Sequence, residues 1–266
     1  MKIREITEAI EQYAPLRLQE QWDNCGFQVG DPEAEASGAL LCTDATEVVV
    51  AEAIARGFNL VISHHPLIFG GLKKIMGRTP VERTVAMAIK HDITIYSAHT
   101  NMDSAWQGVS FRMAQKIGMT DVTFLDDNTV APYGEAECGT AGCGVIGNIE
   151  PMKAREVLER VKAAFEVGAV RYSGDGDQRV TRVALCGGAG GFLLDKAVEA
   201  GAQLYVTADM RYHDFLDNCQ RIVIADIGHY ESEHFTKEIF LEIIQKKNPT
   251  FAVAFAQNEV NQVNYL

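Results

Sequence analysis

Several short stretches of this chain carry residues able to hold a cation or move a proton, and they share one design. Val61-Ile62-Ser63-His64-His65-Pro66 places two adjacent histidines at the end of an apolar run that proline then closes. Proline lacks the N–H a central strand needs, so the run reads as a buried strand delivering imidazoles to a loop. Ile93 to Ala98 is a second such run, ending in His99-Thr100-Asn101-Met102-Asp103. A third, Ile222 to Asp226, ends in Ile227-Gly228-His229-Tyr230-Glu231-Ser232-Glu233-His234. A helix starting near His229 sets Glu233 four residues on and on the same face. Continued to Phe240 and Ile244, that helix carries Glu233 on its apolar arc and His234 on the charged arc with Glu238. A carboxylate on an apolar arc is costly unless a cation or donors compensate it. Collected, His64, His65, His99, Asp103, His229 and Glu233 suit two divalent transition ions that share a bridging carboxylate, with a water left as nucleophile. Imidazole and carboxylate accept zinc, iron, manganese and nickel alike. Histidines that serve only as surface or cap groups are the alternative reading of the same residues.

The elements that position these groups are those of an α/β protein. Ile3, Ile6, Ile10 and Tyr13 space an amphipathic helix ending before Pro15. Ala39 to Asp44 reads as a strand, and Glu47 to Arg56 as a helix with Gly57 at its C-terminal cap. Val81 to Lys90, Ser104 to Gly118, Glu150 to Glu166 and Phe192 to Ala200 read as further helices, and Arg182 to Cys186 as a strand. Trp22-Asp23-Asn24-Cys25-Gly26-Phe27 reads as a tight turn that packs against its surroundings, with the edge of a site as the minority view. Lys73 and Lys74 sit in a loop read as solvated. Ala51 to His65 matches Asp195 to Asp209 in helix, cap glycine and strand, with His65 opposite Asp209. Two related α/β lobes follow, residues 1–128 and 129–266, with mixed sheets and a dimetal site in the cleft between them. An exposed link is expected from Asp126 to Glu137.

Composition narrows the partners. Lys+Arg 24 against Asp+Glu 36 gives a formal net charge of -12, which argues against a broad phosphate-neutralising surface for nucleic acid. The opening residues mix charge with helical spacing, neither an export signal nor a membrane span, and a cytoplasmic chain is expected. Six cysteines without a C-x-x-C pair read as free thiols, and Cys138 and Cys143 lack the companions of a zinc pattern. The loop Gly187 to Gly191 lacks the full dinucleotide spacing, since Leu193 stands where a third glycine belongs; a single phosphate site or a plain turn is the expectation.

Trp22-Asp23-Asn24-x-Gly26, Ser63-His64-His65-Pro66-Leu67-Ile68-Phe69, Ser97-x-His99-Thr100-Asn101-x-Asp103, Thr207-x-Asp209 and Gly228-His229-x-x-Ser232-Glu233 together resemble the NIF-three-like dinuclear metal-centre family, the GTP cyclohydrolase 1 type 2 homologues. The blocks span most of the chain. The resemblance implies that His64, His65, Asp103, His229 and Glu233 ligate two divalent ions, with Glu233 as the bridge and His99 close by. It also implies a ring-shaped homohexamer. Phe27 for leucine, Ala208 for glycine and Ser110-Phe111 for a polar pair depart from the family pattern without touching an implied ligand. The expected activity is a metal-dependent hydrolase in which a metal-bound water attacks the imidazole ring of GTP or a related nucleotide, with His99 or Asp209 moving protons. A dimetal phosphoesterase, or a protein that stores or delivers ions, are the alternatives.

Overall fold

A computed structural model describes residues 1–127 and 141–266. The expected link lies outside the described residues from position 128 onward, as does Cys138. In chain order the first elements are α1 (Ile3–Tyr13), β1 (Gly26–Val29), β2 (Ala39–Cys42), α2 (Glu47–Arg56), β3 (Leu60–Ser63), α3 (Pro80–Lys90), β4 (Thr94–Ser97) and α4 (Thr100–Asp103). Then come α5 (Val109–Lys116), β5 (Thr120–Asp126), β6 (Cys143–Lys153), α6 (Ala154–Ala164), β7 (Arg171–Ser173), β8 (Arg179–Leu185), α7 (Leu194–Glu199) and β9 (Leu204–Thr207). The last are α8 (Tyr212–Asn218), β10 (Val223–Asp226), α9 (His229–Glu233), α10 (Thr236–Lys247) and β11 (Val253–Phe255).

The chain forms two compact units, Met1–Met102 with His234–Gln262, and Asp103–Glu233 with Val263–Leu266. This division differs from the 128/129 boundary read from sequence. The physical reason lies in β11, which returns to pair in parallel with β2 and so draws α10 and the following chain into the first unit.

In the first unit the sheet order is β1-β4-β3-β2-β11, with only the edge strand β1 antiparallel. Leu60 to Ile62 and Leu40 to Cys42 are fully buried, as the continuous apolar runs of parallel strands covered on both faces require. Val49, Val50 and Ala53 of α2 and Val85 and Ala88 of α3 pack against this sheet. Helix α2 stops where Gly57 takes φ 70°, a left-handed cap that costs glycine little. Pro80 and Thr79, whose hydroxyl accepts from Glu82 N, start α3. Ser63 pairs with Ser97 in register, so His64-His65 and Ala98-His99 leave neighbouring strands at one sheet edge.

The second unit has the order β5-β6-β8-β9-β10-β7, with β8, β9 and β10 parallel and the others antiparallel. Leu185 stands beside Val206, and Thr207 beside Asp226. The Gly187–Gly191 loop, the Ala208-Asp209 step and the Ile227–His229 turn therefore also leave at one edge. Strands β3 and β9 each end two residues short of the predicted pair, His65 and Asp209.

Some predicted helices are shorter than their spacing. The Ser104–Gly118 helix begins only at Val109, where Gly108 in extended conformation is the cap. The Glu150–Glu166 helix begins at Ala154, because Met152 and Lys153 pair with Val180 and Arg179 and prolong β6. The helix from His229 also breaks: α9 ends at Glu233 and α10 begins at Thr236. Glu233 therefore does not lie on the apolar arc of Phe240 and Ile244, and its burial has another source.

Candidate metal centre

In the first unit His64, His65 and His99 each offer a ring nitrogen, and these nitrogens lie within 4.8 Å of one another. The ring centroids are 5.0, 5.2 and 5.4 Å apart. Ser63 explains the local bend: its hydroxyl donates to the carbonyl of His65 at 2.8 Å, folding the chain back just beyond β3. Ser97, whose hydroxyl is 2.8 Å from that of Ser63, closes the same turn from β4. Each imidazole is then fixed through Nδ1. That of His64 is 3.0 Å from the carbonyl of Ala98, that of His65 2.9 Å from Asp44 Oδ1, and that of His99 3.0 Å from Asp23 Oδ1. A carbonyl or an ionised carboxylate can only accept, so Nδ1 carries the proton and Nε2 the lone pair.

The second unit repeats the device. His229 Nδ1 is 2.7 Å from Asp209 Oδ2, and its Nε2 is 3.1 Å from Glu233 Oε2. Glu233 is 2% exposed, and an oxygen of Asp103 lies within 4.8 Å of one of its own. Two carboxylates this close and this dry repel unless a cation or a proton stands between them. Asp226 shapes the approach: it accepts from Met210 N at 2.9 Å and Gly228 N at 3.0 Å and pairs with Arg171, tying the turn before His229 to the loop that carries Asp209. Asp209 itself holds φ 56°, a left-handed conformation that aspartate tolerates better than most residues, so the strained position is Asp209 and not Ala208.

The glycine loop Gly187–Gly191 is a structural turn. Gly188 N donates to Ser232 Oγ at 2.9 Å, and Gly190 N donates to Thr207 Oγ1 at 2.9 Å, so these amides are already engaged rather than presented to a phosphate. Glycine is needed at 188 for a different reason. Its φ is +60°, and a Cβ there would lie 2.3 Å from Glu233 Oε1. Gly188→Ala is expected to push the Glu233 carboxylate aside, lowering zinc affinity by at least tenfold in calorimetric titration of metal-stripped protein, beside about 1–2 kcal/mol of backbone strain. Unchanged affinity would mean that Glu233 does not serve the metal from its present rotamer.

All the predicted ligands occur in one of these two sets: His64 and His65 in the first unit, Asp103, His229 and Glu233 in the second. The sequence reading missed Asp23 and Asp44. For Asp44 a signal existed, since Cys42 pairs with Ser63 and an acid two residues past β2 stands level with His65. Asp209, expected to move protons, faces Nδ1 of His229, the nitrogen opposite the one beside Glu233. His234 is half-buried rather than on a charged arc. Lys73 and Lys74 are exposed, as expected. The cysteines among the described residues, Cys25, Cys42, Cys143, Cys186 and Cys219, are all free thiols. Burial pushes Cys42 well above the ordinary thiol range.

Parallel-stranded α/β units that end in oriented imidazoles and paired carboxylates bring together groups that could hold a metal ion. The sequence model of the Duf34/NIF3 (NGG1p interacting factor 3) family matches residues 1–262, and the chain belongs to that family. It is 34% identical to the GTP cyclohydrolase 1 type 2 homolog of Lactococcus lactis subsp. lactis, over 94% of this chain and 93% of the relative. The homolog of the same name from Clostridium acetobutylicum is 32% identical over 88% and 85%. The crystal structure of a Bacillus cereus protein related to NIF3 superposes with a TM-score of 0.89 at 25% identity, covering 100% of this chain and 99% of that one. Among the described residues no helix is long and apolar enough to cross a membrane.

Proposed function

We propose that the protein is a metal-dependent hydrolase of the GTP cyclohydrolase type, holding two divalent ions through His64, His65, Asp103, His229 and Glu233, with Glu233 as the bridge. One observation supports the metal assignment: His64, His65 and His99 each spend Nδ1 on an oxygen acceptor and so turn Nε2 into the donor atom, while His229 has a carboxylate at each ring nitrogen. Imidazoles beside the carboxylates of Asp103 and buried Glu233 fit zinc, iron, manganese or nickel. When bound, such ions supply Lewis acidity and bring the pKa of a coordinated water towards neutrality. The chain's own part is to fix the ligand tautomers through Asp44 and Asp209 and to receive a proton at His99 Nε2. The nucleotide substrate rests on the printed names of the relatives. A ring-shaped homohexamer, by family resemblance, and a cytoplasmic location, from the charged opening helix, belong to the same proposal.

The deciding experiment incubates GTP with metal-loaded and chelator-treated protein. Formate is expected to appear in step with loss of the purine absorbance, in the loaded protein only. Phosphate without formate would move the chemistry to a phosphoester, a reading that the occupied amides of Gly188 and Gly190 do not favour. Neither product from a protein that keeps its metal would favour storage or delivery.

A further inference from the structure

His99 differs from the other three histidines in what holds it. Asp44 and Asp209, the partners of His65 and His229, have side chains 49% and 53% exposed, whereas the Asp23 side chain is 0% exposed. Asp23 Oδ1 accepts from Asn24 N at 2.8 Å as well as from His99 Nδ1. Its Oδ2 accepts from Thr100 N at 3.1 Å, from the Thr100 hydroxyl, and from Cys25 Sγ at 3.1 Å. Burial alone would raise this carboxyl's pKa, but the hydrogen bonds from His99, Thr100 and Cys25 outweigh it and hold the group well below the ordinary carboxylate range. Burial, reinforced by Asp23 against two opposing backbone N–H groups, pushes the Cys25 thiol up to about 12, so it keeps its proton and stays a donor. The edges of Trp22 and Phe69 meet the imidazole at centroid distances of 6.0 and 5.5 Å and limit its rotation.

We infer that Asp23 is the positioning residue of His99: it holds the imidazole as the Nδ1–H tautomer and so presents Nε2, with its lone pair, to the His64–His65 cluster. A buried acceptor-only group ringed by donors fixes both the tautomer and the orientation of the imidazole that donates to it. The tautomer claim stands on geometry alone. Its consequence for turnover rests on the hydrolase reading above.

Asp23→Asn separates the two. An amide must turn its NH2 either towards Oδ2's three donors, among which the Thr100 N–H cannot rotate away, or towards Asn24 N and His99. The amide oxygen stays where three donors converge, at Thr100 and Cys25, so its NH2 faces Asn24 N and His99; of these two only His99 can become an acceptor, by moving its proton to Nε2. The test is solid-state nitrogen NMR of the metal-stripped full-length chain labelled at histidine, a size-independent readout, with the His99 signals assigned by their loss in His99→Gln. The unaltered protein should show His99 protonated at Nδ1 and unprotonated at Nε2, and Asp23→Asn should shift it to Nε2–H. In that variant metal content should be kept while formate release falls by about 10²-fold or more. His99 protonated at Nε2 in the unaltered protein would overturn the inference, and that measurement stands even if the variant does not fold. A folded Asp23→Asn protein with the Nδ1–H tautomer intact would overturn it equally. Absence of formate from the unaltered, loaded protein, with the tautomers as expected, would overturn the hydrolase reading alone.

Discussion

Glu233→Gln is expected to leave the protein with at most one tightly held ion per chain where the unaltered protein is expected to hold two. The neutral amide cannot place an anionic oxygen on each of two cations, and its NH2 group has no lone pair to donate. The surroundings sharpen the effect. His229 Nε2 sits 3.1 Å from Glu233 Oε2, and Asp103 offers an oxygen within 4.8 Å, so the change removes a negative charge from the middle of a donor set rather than from its rim. Elemental analysis of protein purified in the presence of zinc measures it directly. His234→Ala, one residue along, is the control and should retain both ions, because among the described residues His234 belongs to none of the groups that could hold an ion. Two ions kept by the glutamine variant would remove Glu233 as a bridge, and metal lost from the alanine variant would show that the wrong face of the turn had been assigned.

The candidate ligand residues were legible in sequence because apolar strands announce their own ends. Leu60 to Ile62, Ile95 and Tyr96, and Val223 to Ala225 are fully buried, and the first polar residues after each run include His64, His99 and, beyond Asp226, His229. What holds those residues was not legible. Asp23 reaches His99 across 76 positions from a turn whose Trp and Phe argue only for packing, and nothing in the spacing of that turn says which histidine it meets. Helical periodicity failed where a polar cap or a strand pairing intervened. Gly108 interrupts a stretch that otherwise spaces its apolar residues as a helix, and Met152 and Lys153 join β6 because Val180 and Arg179 are there to pair. Glu233 is buried as expected, but not on an apolar arc continued into α10: α9 ends at Glu233, whose carboxylate lies where a Cβ on Gly188 would meet it.

Chelation is expected to lower the unfolding temperature by roughly 10 °C. An ion that binds only the folded chain stabilises it by mass action, about 4 kcal/mol at a thousandfold excess over its dissociation constant, and each kcal/mol moves the midpoint by about 2–4 °C in a chain of this size. Ions scattered on a surface of net charge -12 would bind weakly and leave the midpoint unmoved. The carboxylate pair makes a second, opposite expectation. Without a cation, Asp103 and Glu233 face one another within 4.8 Å with Glu233 almost fully buried, and like charges so placed oppose the folded state. Glu233→Gln removes one of the two charges. In chelator the glutamine variant should therefore unfold at or above the temperature of the unaltered protein, while in excess zinc it should unfold well below it. Scanning calorimetry of both proteins, with and without chelator, reads the crossing. Curves that keep the same order in both conditions would mean that the pair is neutralised by something other than a metal ion, and the stability argument for the centre would fall with it.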